Sequence, residues 1–257
     1  MRRSTAGSYQ YRVTPTMADN FDACPRSAAL APPFVSTPET ERGQRLHQAL
    51  YRSIALMQAH RPTSDEAAMI AAGIAVDSEE ADDAQAMLTW VRNYLQDANL
   101  TVIGAEAPLE TPPRPVLGAE GVRVHLAGRV DLVARAGRTL HLLDLKTGQR
   151  MLSDAQLAVR PSSAVYTLLA RCTWPDADRI IVAHLYSATR TVASTELTTP
   201  QIEAGRVMVR YVVGLLAERR AAQVTVPGEQ CGWCPVRPDC PAWPTPALSG
   251  PHDTAMF

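Results

Sequence analysis

Two apolar strands joined by a short glycine turn place two acidic residues opposite each other. The segment Gly128–Gly148 predicts a β-hairpin turning at Gly137-Arg138, because glycine at the first central position suits a type II′ turn. Counted outward from this turn along both strands, Asp131 lies directly across from Asp144. Directly paired residues share one sheet face, with their Cβ atoms about 5 Å apart. The hairpin therefore brings together two carboxylates that repel each other.

A divalent cation between the carboxylates would turn this repulsion into a binding site. Lys146 lies two residues after Asp144, so it points to the same face, roughly 6.6 Å further along the strand. It is the single lysine among 25 basic residues. Arginine does not give up a proton, so Lys146 is a candidate for a role in proton transfer.

The alternative is that Asp131 and Asp144 are strand-edge residues facing solvent. The second strand argues against it, because its leucines occupy both alternating faces, as in a strand that is covered on both sides. A three-residue loop would shift the register by one and send the two aspartates to opposite faces. These leucines are Leu140, Leu142, Leu143 and Leu145.

Composition limits the classes of function. The net charge is −1, so any nucleic-acid contact must be local rather than spread over the surface. Hydrophobic residues make up 46% of the chain, which is enough for a sizeable core. No stretch approaches the roughly 18 consecutive apolar residues of a membrane span, and no apolar run follows the charges at the start of the chain. We expect a cytoplasmic protein without membrane association.

The order of predicted elements indicates the fold class. The sequence pattern predicts two helices, then three strands, a helix, two strands and a final helix. This order predicts an α/β fold with one mixed central β-sheet flanked by helices. Predicted helices cover residues 41–60, 78–98, 153–171 and 200–220. Predicted strands cover residues 101–109, 121–134, 139–145, 179–187 and 191–197.

These elements form one predicted domain over residues 19–243. It consists of a helical part at 41–99 and an α/β core at 100–222. Residues 1–18 are expected to form a flexible arm, since they are polar and lack periodicity. Residues 244–257 are expected to form a tail.

The hairpin resembles a known family. The sequence Gly-Arg-Val-Asp-Leu-Val at 128–133, followed by Leu-Leu-Asp-Leu-Lys-Thr-Gly at 142–148, is similar to the core of the RecB-like branch of the PD-(D/E)XK nuclease superfamily. Asp131 matches its first acidic residue, and Asp144-Leu145-Lys146 matches its acid-x-lysine element. The branch also carries an upstream Gly-x-x-x-His, which Gly43–His47 fits. The resemblance implies a restriction-endonuclease-like core.

The resemblance also implies a set of catalytic residues. The cation, Mn²⁺ or Mg²⁺, would be held by His47, Asp131, Asp144 and the Leu145 carbonyl. The histidine favours Mn²⁺, because imidazole is a poor ligand for Mg²⁺, the harder of the two ions. Lys146 would orient or deprotonate the attacking water. Its pKa would have to fall for it to act as a base.

The family's substrate-positioning element is matched only in part. It is a glutamine followed four residues later by a tyrosine, on the helix after the lysine strand. Tyr166 fits the tyrosine, but Ser162 stands in the place of the glutamine, and Gln156 lies earlier on the predicted helix. We expect Tyr166, Gln156 and Arg150 to contact substrate. Arg42, Arg45 and Arg160 are further candidates for gripping phosphates.

The five cysteines predict a second metal site. Cys231, Cys234 and Cys240 form a C-x2-C-x5-C run, which leaves a tetrahedral centre one ligand short. Cys24 and Cys172 are the candidates for the fourth ligand. The spacing alone does not separate zinc from an iron–sulfur cluster.

Iron–sulfur members of the RecB-like branch share this cysteine arrangement. They include the AddB-type nucleases and the exonuclease that accompanies CRISPR spacer acquisition. By that resemblance, Cys24, Cys231, Cys234 and Cys240 hold a [4Fe–4S] cluster as a clasp between the N- and C-terminal segments, with zinc as the alternative. Cys172 is then expected to be a buried free thiol.

The leading expectation is a Mg²⁺- or Mn²⁺-dependent deoxyribonuclease, an exonuclease on single strands or DNA ends. Its partners would be DNA and a helicase, recombination or spacer-integration protein. The alternative is a non-catalytic DNA-binding or scaffold subunit of a recombination or spacer-acquisition complex, favoured by Ser162 in the glutamine position. A third reading is a zinc-stabilised interaction module.

Overall fold

The chain folds into a mixed β-sheet with helices on both faces. The structure is a computed structural model that describes residues 2–3, 9–59, 64–116 and 120–243. In these ranges the helices are α1 (Pro15–Ala23), α2 (Pro25–Leu30), α3 (Pro38–Gln58), α4 (Asp65–Ala71), α5 (Glu79–Asp97), α6 (Asp154–Ala158), α7 (Pro161–Thr173) and α8 (Thr199–Ala217). The strands are β1 (Arg2–Arg3), β2 (Tyr9–Val13), β3 (Thr101–Glu110), β4 (Arg114–Pro115), β5 (Val122–Ala136), β6 (Thr139–Lys146), β7 (Arg179–Tyr186) and β8 (Thr191–Glu196).

The long strand β5 organises the sheet. Its first part pairs with β2 and β4, and its second part pairs with β3 and β6. The main path runs β1-β2-β5-β6-β7-β8. β2 with β5 and β6 with β7 are parallel, whereas the other pairs are antiparallel. The predicted mixed α/β sheet is confirmed.

Strand β6 is buried on both faces, as its leucines predict. Leu140 and Leu142 pack into the core formed with α1, α7 and α8. Leu143 and Leu145 pack into the core formed with α3, α4 and α5. A charged residue on β6 is therefore held between two apolar layers. Over the described residues, no helix is both long and apolar enough to cross a membrane.

The predicted flexible arm is wrong for residues 9–18. β2 pairs in parallel with the start of β5, and Val13 is fully buried. Thr14 then caps α1 by accepting from Met17 N–H at 3.1 Å. β2 pairs with the edge of a strand that lies far along the chain. Local periodicity in the sequence does not reveal such a distant pairing. Residues 1 and 4–8, and the predicted tail at 244–257, lie outside the described residues.

The predicted helix at 153–171 is two helices. α6 ends at Ala158 and α7 begins at Pro161, because proline lacks the N–H that a helix interior requires and disfavours helical backbone before it. Gln156 closes a capping box at the start of α6, where its Oε1 accepts from Ser153 N–H at 2.9 Å. The break places Arg160 at the N-cap of α7.

Candidate active site

The hairpin has the predicted register. Ala136 pairs with Thr139 and Leu132 with Leu143. Gly137 has φ +57°, as the first position of a type II′ turn requires. Beyond Leu132 and Leu143 the ladder stops. There Asp131 Oδ2 accepts a hydrogen bond from Leu145 N–H at 2.7 Å. The Asp131 carboxylate therefore lies at the point where β5 and β6 separate.

His47 reaches this point from α3. A Cβ atom at Gly43 would lie 2.9 Å from Thr147 Oγ1, so glycine lets α3 pass close to the end of β6. One turn later, His47 Nδ1 lies 3.4 Å from Asp131 Oδ2. Burial would lower the pKa of His47, but Asp131 and Asp144 outweigh that effect and raise it. The Gly-x-x-x-His spacing thus brings an imidazole to the first aspartate.

Glu106 on β3 completes a cluster that the sequence analysis missed. Ala105 pairs with Leu132 and Ala107 with Val130, so Glu106 lies opposite Asp131. Its backbone has φ +48°, a left-handed conformation that is rare for glutamate. His47, Glu106 and Asp131 offer ligand atoms that all lie within 4.8 Å of one another. The sequence signal was an acidic residue in the middle of an apolar strand, and only the β3–β5 register shows that it faces Asp131.

Asp144 lies beside this cluster, and its carboxylate contacts residues of β6 and β7. Its Oδ2 contacts Lys146 Nζ and is 3.5 Å from His184 Nε2. This oxygen is buried and, within the described residues, forms no well-aligned hydrogen bond. The predicted ligand trio of His47, Asp131 and Asp144 is therefore not gathered into one tight group. Burial raises the pKa of Asp144. The charge of Lys146 opposes this increase, and the charge of Asp131 adds to it.

Lys146 is held as an ammonium ion. Burial would lower its pKa, but Asp144 and Asp131 outweigh burial and raise it. This raised pKa favours the charged form of Lys146 over a basic role. Lys146 can instead donate hydrogen bonds and neutralise negative charge.

His184 and Tyr186 on β7 support Asp144 from behind, and the sequence analysis missed both. His184 is in register with Asp144 in the parallel β6–β7 pair. Tyr186 Oη lies 3.3 Å from His184 Nδ1 and accepts from Leu152 N–H at 2.8 Å. Burial and the charges of Lys146 and Arg160 lower the pKa of His184 to about 4. A neutral imidazole that accepts at Nδ1 carries its proton on Nε2, facing Asp144.

An open cleft of about 370 Å³ adjoins Asp144 and Lys146. Its walls include residues of α1 and the start of α7, together with Tyr166 and Arg150. Tyr166 donates a hydrogen bond to the Arg129 carbonyl at 3.0 Å, and burial raises the pKa of its hydroxyl. Gln156 is not among the residues of this wall, because it caps α6 instead.

Two of the arginines proposed to grip phosphates are engaged elsewhere. Arg42 pairs with Asp83, and Arg45 forms two hydrogen bonds with Glu80 at 2.8 and 2.9 Å. Both carboxylates belong to α5. These arginines therefore tie α3 to α5.

The sequence profile of the PD-(D/E)XK nuclease superfamily matches residues 12–241. This range contains the hairpin, His47 and Glu106. The chain belongs to the PD-(D/E)XK nuclease superfamily. No curated protein matches the sequence.

Two solved structures that match this superfamily member share little sequence with it. A protein of Eubacterium rectale described as a candidate exonuclease has a TM-score of 0.51 and 10% identity, over 91% of this chain and 89% of that chain. The crystal structure of SSO0001 has a TM-score of 0.42 and 13% identity, over 91% of this chain and 87% of that chain. At these identities the likeness of the first structure concerns the fold alone.

The donor set of this nuclease-superfamily site fits a divalent cation. It offers one imidazole and two carboxylates in one small group, and the carboxylate of Asp144, which contacts Lys146, lies nearby. Nitrogen and oxygen ligands of this kind suit Mn²⁺, and carboxylates also suit Mg²⁺.

Four of the five cysteines line one cavity. Cys24 is buried at the junction of α1 and α2, and its neighbours there are Cys231, Cys234 and Cys240. Cys172 is exposed on α7 and lines a different groove, so the expectation of a buried thiol there is wrong. Cys172 lies on the solvent-facing side of the end of α7, and the apolar residues around it in the sequence did not predict this exposure.

Polar contacts hold the cysteine segments together. Gln230 Nε2 donates to the Ala23 carbonyl at 2.9 Å, and Arg26 Nη2 donates to the Asp239 carbonyl at 2.9 Å. The backbone N–H of Arg26 also donates to the Val224 carbonyl at 2.9 Å. The two ends of the domain therefore meet at the cysteines.

Proposed function

We propose that this protein is a metal-dependent deoxyribonuclease that hydrolyses phosphodiester bonds. The observation that carries the proposal is the group formed by His47, Glu106 and Asp131, with Asp144 and Lys146 beside it, in a chain of the PD-(D/E)XK nuclease superfamily. His47, Glu106, Asp131 and Asp144 would hold Mn²⁺ or Mg²⁺. A bound cation of this kind neutralises phosphate charge and acidifies a coordinated water.

The chain's own residues would supply the remaining chemistry. Lys146, charged and at the edge of the cleft, would donate a hydrogen bond to the attacking water or to a phosphate oxygen. His184 would donate to Asp144 and fix its orientation, and Tyr186 would fix the tautomer of His184. Tyr166 keeps its proton and would line the path of the substrate strand.

We further propose that the enzyme acts as an exonuclease on single strands or DNA ends. A protein of similar fold is described as a candidate exonuclease, and this description motivates the extension. The test compares linear DNA labelled at either end with closed circular DNA in the presence of Mn²⁺. We expect mononucleotides or short oligonucleotides from linear DNA and an intact circle. Cleavage of the circle would contradict the exonuclease assignment.

The alternative is a non-catalytic DNA-binding subunit, favoured by Ser162 in the glutamine position of the family pattern. The same assay separates the two functions, with Lys146→Ala as the matched variant. DNA binding by the isolated protein without any Mn²⁺-dependent cleavage would favour the subunit. Cleavage that Lys146→Ala abolishes would favour the nuclease.

We also propose that Cys24, Cys231, Cys234 and Cys240 hold a [4Fe–4S] cluster, with zinc as the alternative. The four cysteines line one cavity, and the iron–sulfur members of the RecB-like branch share this cysteine arrangement. Iron and sulfide analysis with visible spectroscopy tests the assignment, and stoichiometric zinc in a colourless protein would contradict it.

A further inference from the structure

The start of α7 departs from the family's substrate-positioning pattern. Ser162 occupies the place four residues before Tyr166 and is only 8% exposed. Its backbone N–H donates to Asp19 Oδ1 at 2.9 Å. A serine here offers no long polar side chain to a strand in the cleft.

Arg160 lies in the same wall of the cleft, two residues earlier. Pro161 starts α7 and leaves Arg160 at its N-cap, with the side chain 44% exposed. Arg160 lines the cleft together with Asp144 and Lys146.

Asp19 on α1 holds this guanidinium in place. Arg160 Nε and Nη2 donate to Asp19 Oδ2 at 3.1 and 2.6 Å. A guanidinium carries five N–H donors, and these contacts use two of them. Within the described residues, the other three have no protein acceptor. An arginine fork with free N–H groups is suited to phosphate oxygens.

Other arginines near the site are less suited to this role. Arg129 pairs with Glu106, and Arg42 and Arg45 are bound to α5. Arg150 also lines the cleft, but none of the described carboxylates orients it. Arg160 is thus the cleft arginine that is both oriented and partly exposed.

We propose that Arg160, oriented by Asp19, binds a phosphate of the substrate strand next to the scissile one. The contact replaces the substrate contact that the family pattern assigns to the position of Ser162. This inference rests on the proposed nuclease function, since it names a strand-binding residue of the same cleft.

The test measures the binding of a fluorescently labelled oligothymidylate over a series of salt concentrations, with Mn²⁺ present. The Lys146→Ala background prevents cleavage. Arg160→Ala should weaken binding about tenfold and reduce the salt slope, log Kd against log salt, by about 0.7, the value for one phosphate contact on a single strand. Arg160→Lys should keep the slope and bind more weakly than the parent, because lysine lacks the fork.

Arg138→Ala is the matched control. Arg138 forms a comparable two-point pair with Asp178, is 66% exposed, and lies outside the cleft wall. Binding and slope should not change in this variant. An unchanged slope in Arg160→Ala, or an equal loss in Arg138→Ala, would overturn the proposal.

Asp19→Asn gives a second variant if Arg160→Ala folds poorly. An asparagine can still accept from Ser162 N–H, so the helix start is kept while the ion pair is lost. Binding should weaken with the slope retained, and unchanged binding would count against the proposal. Cleavage by the parent is measured separately. A parent that cleaves DNA without an Arg160-dependent slope refutes this inference alone, whereas the slope change without any cleavage refutes the nuclease function alone.

Discussion

Replacing Asp131 by asparagine separates the structural role of this carboxylate from its role in the metal site. An asparagine Oδ1 can still accept the hydrogen bond that Leu145 N–H gives to Asp131 Oδ2 at 2.7 Å. The negative charge next to His47 and Glu106 is lost. We therefore expect Asp131→Asn to fold normally and to lose Mn²⁺-dependent cleavage.

The magnitudes follow from the hydrogen bond and from the charge. With the hydrogen bond retained, the free energy of unfolding should fall by no more than about 1 kcal/mol. Asp131→Ala leaves the Leu145 N–H without its acceptor and should cost about 1–3 kcal/mol. Loss of one preorganised electrostatic contact, about 2.7 kcal/mol, lowers a reaction rate roughly 10²-fold. The cleavage rates of Asp131→Asn and Asp131→Ala should therefore each fall at least roughly 10²-fold.

Two measurements check this prediction. Urea unfolding gives the free energies of the parent and of both variants, and the initial rate on end-labelled DNA gives the cleavage activity. Asp131→Asn with nearly full activity would refute the role of the carboxylate in the metal site. Equal destabilisation by asparagine and alanine would refute the role of the hydrogen bond.

Three other predictions concern the helix contact, the helical layer and the cysteines. Gly43→Ala should weaken Mn²⁺ binding, because its Cβ would lie 2.9 Å from the Thr147 side chain. Gly148→Ala has open space around its Cβ and should bind Mn²⁺ as the parent does. Equal affinities of the two variants in calorimetry would contradict this prediction. Burial would raise the pKa of Asp65, but its arginine and amide partners outweigh burial and lower the pKa. The stabilisation that Asp65 provides is therefore present above the unfolded-state pKa of about 3.9, and it is lost as the pH falls through the folded-state pKa. Asp65→Ala should cost about 2 kcal/mol near neutral pH and less in acid, and a cost that does not change with pH in urea unfolding would contradict this assignment. Cys240→Ser should lose iron and visible absorbance while Cys172→Ser keeps both, and equal iron content would exclude Cys240 as a ligand.

The hairpin was predictable because its determinants are local. The turn at Gly137 sets the register, and the register fixes which residues face each other. Leucines at both odd and even positions of β6 indicated that the strand is buried on both faces. The positions of Asp131 and Asp144 followed from these facts together.

Glu106 and His184 were not predictable, since each depends on pairing between distant strands. Glu106 faces Asp131 only because β3 pairs with β5, and a left-handed backbone at Glu106 is not visible in the sequence. His184 stands beside Asp144 because a crossover helix returns β7 parallel to β6. The docking of residues 9–18 is a similar case, because the edge that receives β2 lies more than a hundred residues along the chain.

Anomalous diffraction from crystals grown with Mn²⁺ would show whether the proposed site binds a metal ion. We predict one anomalous peak between His47 Nδ1 and the carboxylates of Glu106 and Asp131, with Asp144 turned from Lys146 toward the ion. An empty site at saturating Mn²⁺, or a peak that none of these side chains contacts, would contradict the assignment of this metal site.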